Sequence, residues 1–113
     1  MRTSVFRAAV TAILICGAAL MMGEAAAAAN DAAKTYAKNC VLCHAADGSG
    51  SSPSGKALGA KDLASDEVQK KSDEELIEVV TKGKGKMPAF GKKISPEEIK
   101  GLVAYIRALP KKK

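Results

Sequence analysis

The sequence predicts an all-α fold, three main helices joined by loops. No segment sustains an apolar–polar alternation, so no half-buried strand is expected. Two segments in the second half open on a capping pattern and continue with apolar residues at helical spacing. A stretch rich in Gly, Ser and Pro separates them from an earlier amphipathic segment. A chain of 113 residues allows one small domain, which excludes multidomain architectures and large catalytic barrels. Aromatics make up only 4% of it and there is no Trp, so the core is thin. Domains this small are marginal on apolar burial alone, and a disulfide, a metal or a bulky cofactor is expected to fill the gap.

Residues 1–29 read as a secretory signal peptide and residues 30–113 as the folded domain. Arg2 and Arg7 give a basic start without an acidic residue, and residues 8–22 form an apolar run too short to span a bilayer comfortably. The small residues at 25–29 then offer several A-x-A cleavage sites. An uncleaved anchor is the competing reading. A lipoprotein reading at Cys16 meets Ile15 where a small side chain is needed. Export to the periplasm follows. Cleavage would leave Cys40 and Cys43 as the only cysteines, Met87 as the only methionine and His44 as the only histidine.

Asp31 is placed to cap a first helix through Ala32, Ala33, Tyr36 and Ala37 toward Cys40. Residues 45–59 carry Gly48, Gly50, Pro53 and Gly55 among serines, the chemistry of an ordered loop. Ser72 and Glu75 form a capping box that opens a helix with Leu76, Ile77, Val79 and Val80, stopping near Gly83. The last helix has Ser95 as N-cap, Pro96 at its first position and Glu98 at its third, with Ile94 and Ile99 as a hydrophobic staple. Its apolar face is Ile99, Leu102, Val103, Ile106 and Leu109, and Pro110 ends it.

One motif carries chemistry: Cys40-Val41-Leu42-Cys43-His44. C-x-x-C-H is the attachment signature of c-type haem. Two thiols three positions apart on a helical turn can each add to one vinyl group of a porphyrin, giving two thioether bonds, and the adjacent histidine then reaches the iron. Other readings need what the chain lacks. A thioredoxin-like pair wants a strand–helix setting, a structural zinc site wants four ligands, and a disulfide here would close a tiny loop and stabilise little. A lone Met is often core filler. Met87 instead lies among Gly83, Gly85, Pro88 and Gly91, on a loop able to fold back over a ring. It is therefore the candidate sixth ligand, and its thioether would favour ferrous iron and raise the potential.

The chain resembles the small monohaem class I cytochromes c over residues 31–109. Tyr36-x-x-x-Cys40-x-x-Cys43-His44, Lys86-Met87-Pro88-Ala89-Phe90-Gly91 and Leu102-Val103-Ala104-Tyr105-Ile106 carry the resemblance. It is most similar to short bacterial periplasmic cytochromes and the photosynthetic cytochromes of algae and cyanobacteria. The resemblance implies the class I fold wrapped around one covalently attached haem c. Its axial iron ligands would be His44 and Met87, and its work electron transport rather than catalysis. It also implies that the first and last helices cross, Ala32 and Tyr36 against Leu102 and Tyr105, although Gly is commoner than Ala at the first position. Pro53 matches a family proline whose carbonyl accepts the second N–H of the ligand histidine, an arrangement that orients the imidazole. The Ser-rich loop around Pro53 departs from stricter family patterns. No Trp is present, which leaves the propionate partners unassigned. Leu58, Leu63, Leu76, Val80, Phe90 and Ile94 are candidate haem-lining residues, each equally able to be ordinary core.

The formal net charge is +6. Lys82, Lys84, Lys86, Lys92 and Lys93 surround Met87 in sequence. They either steer an acidic surface of a redox protein partner toward the haem edge or form a solvated face that keeps a monomer soluble. Nucleic-acid binding is disfavoured by export and by the lack of stacking aromatics. Two other functions compete with a carrier. One is a haem enzyme or gas sensor with a displaceable Met87, although no second histidine is available for acid–base work. The other is an electron-transfer subunit docked to a membrane oxidase or reductase.

Overall fold

The structure is a computed structural model that describes Glu24 and residues 26–111. Most of the expected signal peptide, residues 1–23 and 25, therefore lies outside the described residues. The helices, in chain order, are α1 (26–39), α2 (Val41–His44), α3 (Pro53–Leu58), α4 (Asp66–Gln69), α5 (Asp73–Lys82) and α6 (Pro96–Arg107). Among the described residues the only strand-like pairing is a single antiparallel bridge between Lys84 and Met87. The three main helices expected are α1, α5 and α6, and no helix among the described residues is long and apolar enough to cross a membrane.

Both capping boxes are formed. Ser72 Oγ accepts the Glu75 N–H at 3.2 Å and Glu75 returns a carboxylate to the Ser72 N–H at 3.0 Å. Ser95 and Glu98 repeat the arrangement at the start of α6. Ile94 and Ile99, the two halves of the staple, are both buried in one core cluster with Tyr36, Val80 and Leu102. Leu109 lies beyond the end of α6, which stops at Arg107 with Ala108 as its cap.

Three local expectations need correction. Asp31 does not cap α1, because the helix already runs from residue 26 and the Asp31 carbonyl accepts the Thr35 hydroxyl. The alanines at 26–29 are strong helix formers and carry the helix through the position chosen as its start. Residues 45–59 are not all loop: Ser52 accepts the Gly55 N–H and opens α3 with Pro53 at its first position. A further short helix, α4, is capped by Ser65 on the Val68 N–H.

Helices α1 and α6 meet through Tyr36 and Tyr105, whose ring centroids are 4.9 Å apart at 36°. Ala32 and Leu102 are buried alongside. Gly101 faces Ala32, and a Cβ added to it would lie 3.7 Å from the Ala32 Cβ. The methyl group that Ala32 adds to this crossing is thus met by a residue with no side chain. Arg107 ties the end of α6 to the link between α4 and α5. Its guanidinium donates to the Gln69 carbonyl at 2.9 Å, to the Lys71 carbonyl, and to Asp73 at 2.9 Å.

Candidate functional site

The Cys40–His44 segment folds as a single helical turn. The His44 N–H donates to the Cys40 carbonyl at 2.9 Å and the Ala45 N–H to the Val41 carbonyl at 2.9 Å. The segment from Gly50 to Gly55 supports it. Ser52 Oγ lies 2.7 Å from the Leu42 carbonyl and 3.1 Å from the Cys43 carbonyl and donates between them. Gly55 comes so close to this turn that a Cβ there would overlap the Cys43 carbonyl, so only glycine fits.

His44 Nδ1 lies 3.1 Å from the Lys61 carbonyl oxygen. A carbonyl can only accept, so Nδ1 carries the proton and Nε2 keeps its lone pair, the form in which imidazole binds a metal. The expected partner, the Pro53 carbonyl, is not the one found. Pro53 opens α3, and a carbonyl in the first turn of a helix points along that helix toward its fourth neighbour. Lys61, just after α3, supplies the acceptor instead.

Met87 is held by a tight turn. Lys84 and Met87 exchange backbone hydrogen bonds at 3.1 and 3.0 Å, and the Phe90 and Gly91 N–H groups return to the Val80 and Thr81 carbonyls at the end of α5. Gly83 starts this turn at φ +76°, where a Cβ would strike the Met87 carbonyl and the Ala89 nitrogen. The sequence places Gly83 as a helix stop, and the structure adds that it opens the loop that carries Met87.

Cys40, His44 and Met87 line one cavity together with Tyr36, Leu63, Leu76, Val80, Phe90, Leu102 and Ile106. The space is about 940 Å³ when its solvent-open part is included, and its wall is mostly apolar. Cys43 lies on the same turn, half-buried, without lining the cavity. Of the lining candidates, Leu63, Leu76, Val80 and Phe90 are on the wall; Ile94 belongs to the core cluster, and Leu58 is 45% exposed.

Cys40 and Cys43 are not joined in a disulfide. Burial pushes the Cys40 thiol up to about 11, the opposite of the low value that a thioredoxin-type nucleophile needs. Among the described residues no three His, Cys, Asp or Glu side chains are grouped to hold a metal ion, so a protein-only zinc site finds no support. What remains is a large, mostly apolar space with one cysteine sulfur, one metal-ready imidazole and one thioether on its wall. That donor set fits a haem.

Comparison with known proteins agrees. Residues 27–106 match the family described as "Cytochrome C oxidase, cbb3-type, subunit III". Cytochrome c6 of Microcystis aeruginosa is 37% identical over 82 residues, which cover 73% of this chain and 98% of that one. The chain belongs to the small monohaem class I cytochromes c. The cytochrome has a covalently attached haem c and carries electrons between redox protein partners. It is also 34% identical over 84 residues to the cbb3-type oxidase subunit FixP of Azorhizobium caulinodans, where it spans 27% of the relative's length. Among solved structures, the c-type cytochrome KustC0563 is 40% identical, with a TM-score of 0.64, covering 71% of this cytochrome and 96% of that chain.

Proposed function

We propose that this cytochrome is an exported, non-enzymatic shuttle for single electrons in the periplasm, delivered there by a signal peptide at residues 1–29. Cys40 and Cys43 would hold the haem by two thioether bonds, and His44 and Met87 would ligate its iron. The observation that carries this reading is the convergence of Cys40, His44 and Met87, from two separate segments, on one apolar cavity. The haem supplies a reversible one-electron change between ferric and ferrous iron.

The chain's own residues do the rest. The Lys61 carbonyl fixes the imidazole tautomer and raises the basicity of Nε2. The turn pinned between Lys84 and Phe90 holds Met87 at the cavity wall, a rigid setting that would leave little structure to reorganise when an electron moves. Filling the sixth position keeps oxygen and peroxide off the metal, which separates a carrier from an oxidase or peroxidase. Leu76, Val80 and Leu102 exclude water from the ring, and a dry site favours the thioether ligand.

Lys86 and Lys93 are exposed around the Met87 loop and would meet an acidic surface on the partner. Lys82 is already paired with Glu78 at 2.9 Å and contributes less. The near-complete coverage of cytochrome c6 supports a free carrier over a subunit domain. The test is a midpoint titration of the cytochrome and of Met87→Ala. The variant should titrate at a lower potential and bind carbon monoxide in the ferrous state. Equal potentials and equal carbon monoxide binding would remove Met87 from the iron.

A further inference from the structure

Four charged side chains share the cavity wall with its apolar residues: Lys61, Glu67, Lys71 and Lys84. They come from α4 and from the three loops that follow α3, α4 and α5, but act on one another. Lys61 Nζ lies 3.1 Å from the Glu67 carboxylate. That hydrogen bond, and behind it the ammonium groups of Lys61, Lys71 and Lys84, holds Glu67 below the usual carboxylate range. The side chains of Lys61 and Glu67 are 64% and 65% exposed, so the cluster sits at the mouth of the cavity and not in its floor.

The backbones beneath these lysines are fixed, and each is fixed to a part of the site. The Lys61 carbonyl holds His44. Lys84 exchanges backbone hydrogen bonds with Met87. The Lys71 carbonyl is held by Arg107. Three ammonium groups against one carboxylate leave a surplus of two positive charges on an otherwise apolar wall. A haem presents two carboxylates of its own, the propionates. With both in place the charges of the rim itself, three ammonium groups against three carboxylates, sum to zero.

Building on the haem reading above, we infer that Lys61, Lys71 and Lys84 form the receptor for the two haem propionates. Glu67 holds Lys61 in place and limits the surplus charge to two. The rim then acts on the redox equilibrium as well as on binding. Reduction adds a negative charge to the ring, which neighbouring cations favour and a neighbouring carboxylate opposes. Lysines and Glu67 therefore push the potential in opposite directions.

The experiment measures midpoint potentials of the intact holoprotein and of Lys61→Gln, Lys71→Gln, Lys84→Gln, Glu67→Gln and Lys61→Arg. Lys92→Gln serves as a control, because it makes the same charge change at an exposed lysine that does not line the cavity. At a fixed poise, each cavity lysine variant should shift the ferrous-to-ferric ratio toward ferric by about fivefold. Glu67→Gln should shift it the other way, while Lys61→Arg and Lys92→Gln should stay near the parent. Redox-difference infrared bands of the propionate carboxylates should move in the lysine variants and not in the control. Cavity lysine variants indistinguishable from Lys92→Gln, or a Glu67→Gln shift in the lysine direction, would overturn the proposal. The visible spectrum of each variant separates this from failure of the haem reading. An unchanged Met-ligated spectrum with unmoved potentials discards only the propionate receptor.

Discussion

Ala45, the residue after His44, sits at φ 64° and ψ 168°, a region that is essentially reserved for glycine. It is the only described non-glycine residue with positive φ. Its carbonyl accepts the Tyr36 hydroxyl at 2.7 Å, which links the turn carrying His44 to the crossing of α1 and α6. Burial is the main reason the Tyr36 hydroxyl is held well above the ordinary tyrosine range, so it stays a donor at any physiological pH. Strain of this kind costs about 1–3 kcal/mol, against about 0.5–1 kcal/mol for the extra freedom of glycine when unfolded. Ala45→Gly should therefore stabilise the holoprotein by about 1 kcal/mol and raise its Tm by about 5 °C. A thermal melt with an unchanged or lower Tm would show that the turn is not strained. At this scale the sequence singles out Cys40, Cys43, His44 and Met87, because residues 30–113 hold no other cysteine, histidine or methionine. It did not name Lys61, because a backbone carbonyl leaves no trace in residue identity, and Pro53 was favoured only on its place in a family pattern.

Helix ends are the most legible elements, although one and the same start signal is easier to read before a long helix than before a short one. Ser95-Pro96 and Ser52-Pro53 are the same pair, an N-cap followed by a first-position proline, and both open helices. The first was read as a helix start because a long apolar face follows it. The second was missed because α3 is only six residues long and too short to show a period. Gly101 had a readable signal too, a glycine on the apolar side of a helix. The crossing does not demand it, since a Cβ there would meet the Ala32 Cβ at an ordinary 3.7 Å. The junction of α6 with α4 and α5 depends on Arg107, whose side chain is 29% exposed while Asp73 is 62% exposed. The guanidinium's bonds to the Gln69 and Lys71 carbonyls should matter more than the ion pair. Arg107→Ala is expected to cost about 2 kcal/mol in denaturant unfolding and Asp73→Asn below about 0.5 kcal/mol. Equal losses would assign the strength to the ion pair. The capping box of α6 sets an acid limit. The Ser95 N–H holds the Glu98 carboxyl below its ordinary value, so the unfolded chain binds that proton more tightly. The box contributes fully above pH of about 4.3 and fades as pH falls through the lower folded value. Glu98→Gln should flatten the acid side of the stability profile between about pH 5 and pH 3, and an unaltered profile would mean the carboxylate does not act through the cap.

Over the whole molecule, the thin core and the cavity are one fact. The few large apolar side chains of this chain surround a space instead of filling it, and Tyr36, Val80 and Leu102 serve both the core and the wall. Composition made the gap legible in advance. The arrangement of charge around it was not, because Lys61, Glu67, Lys71 and Lys84 are scattered in sequence and meet only in the fold. The exposed lysines of the Met87 loop give a prediction at this scale. Electron transfer to an acidic partner should slow as salt rises, and Lys86→Glu with Lys93→Glu should slow it at low salt and flatten that dependence. Rates indifferent to salt would make these lysines a solvated face. The central claim is that Met87 closes the iron in a His44/Met87 pair and so makes the molecule a carrier. The long-wavelength absorption of the oxidised protein tests it most directly. A weak sulfur-to-iron band should be present in the parent and absent in Met87→Ala, and a parent protein without that band, with ferrous haem that binds carbon monoxide at once, would contradict it.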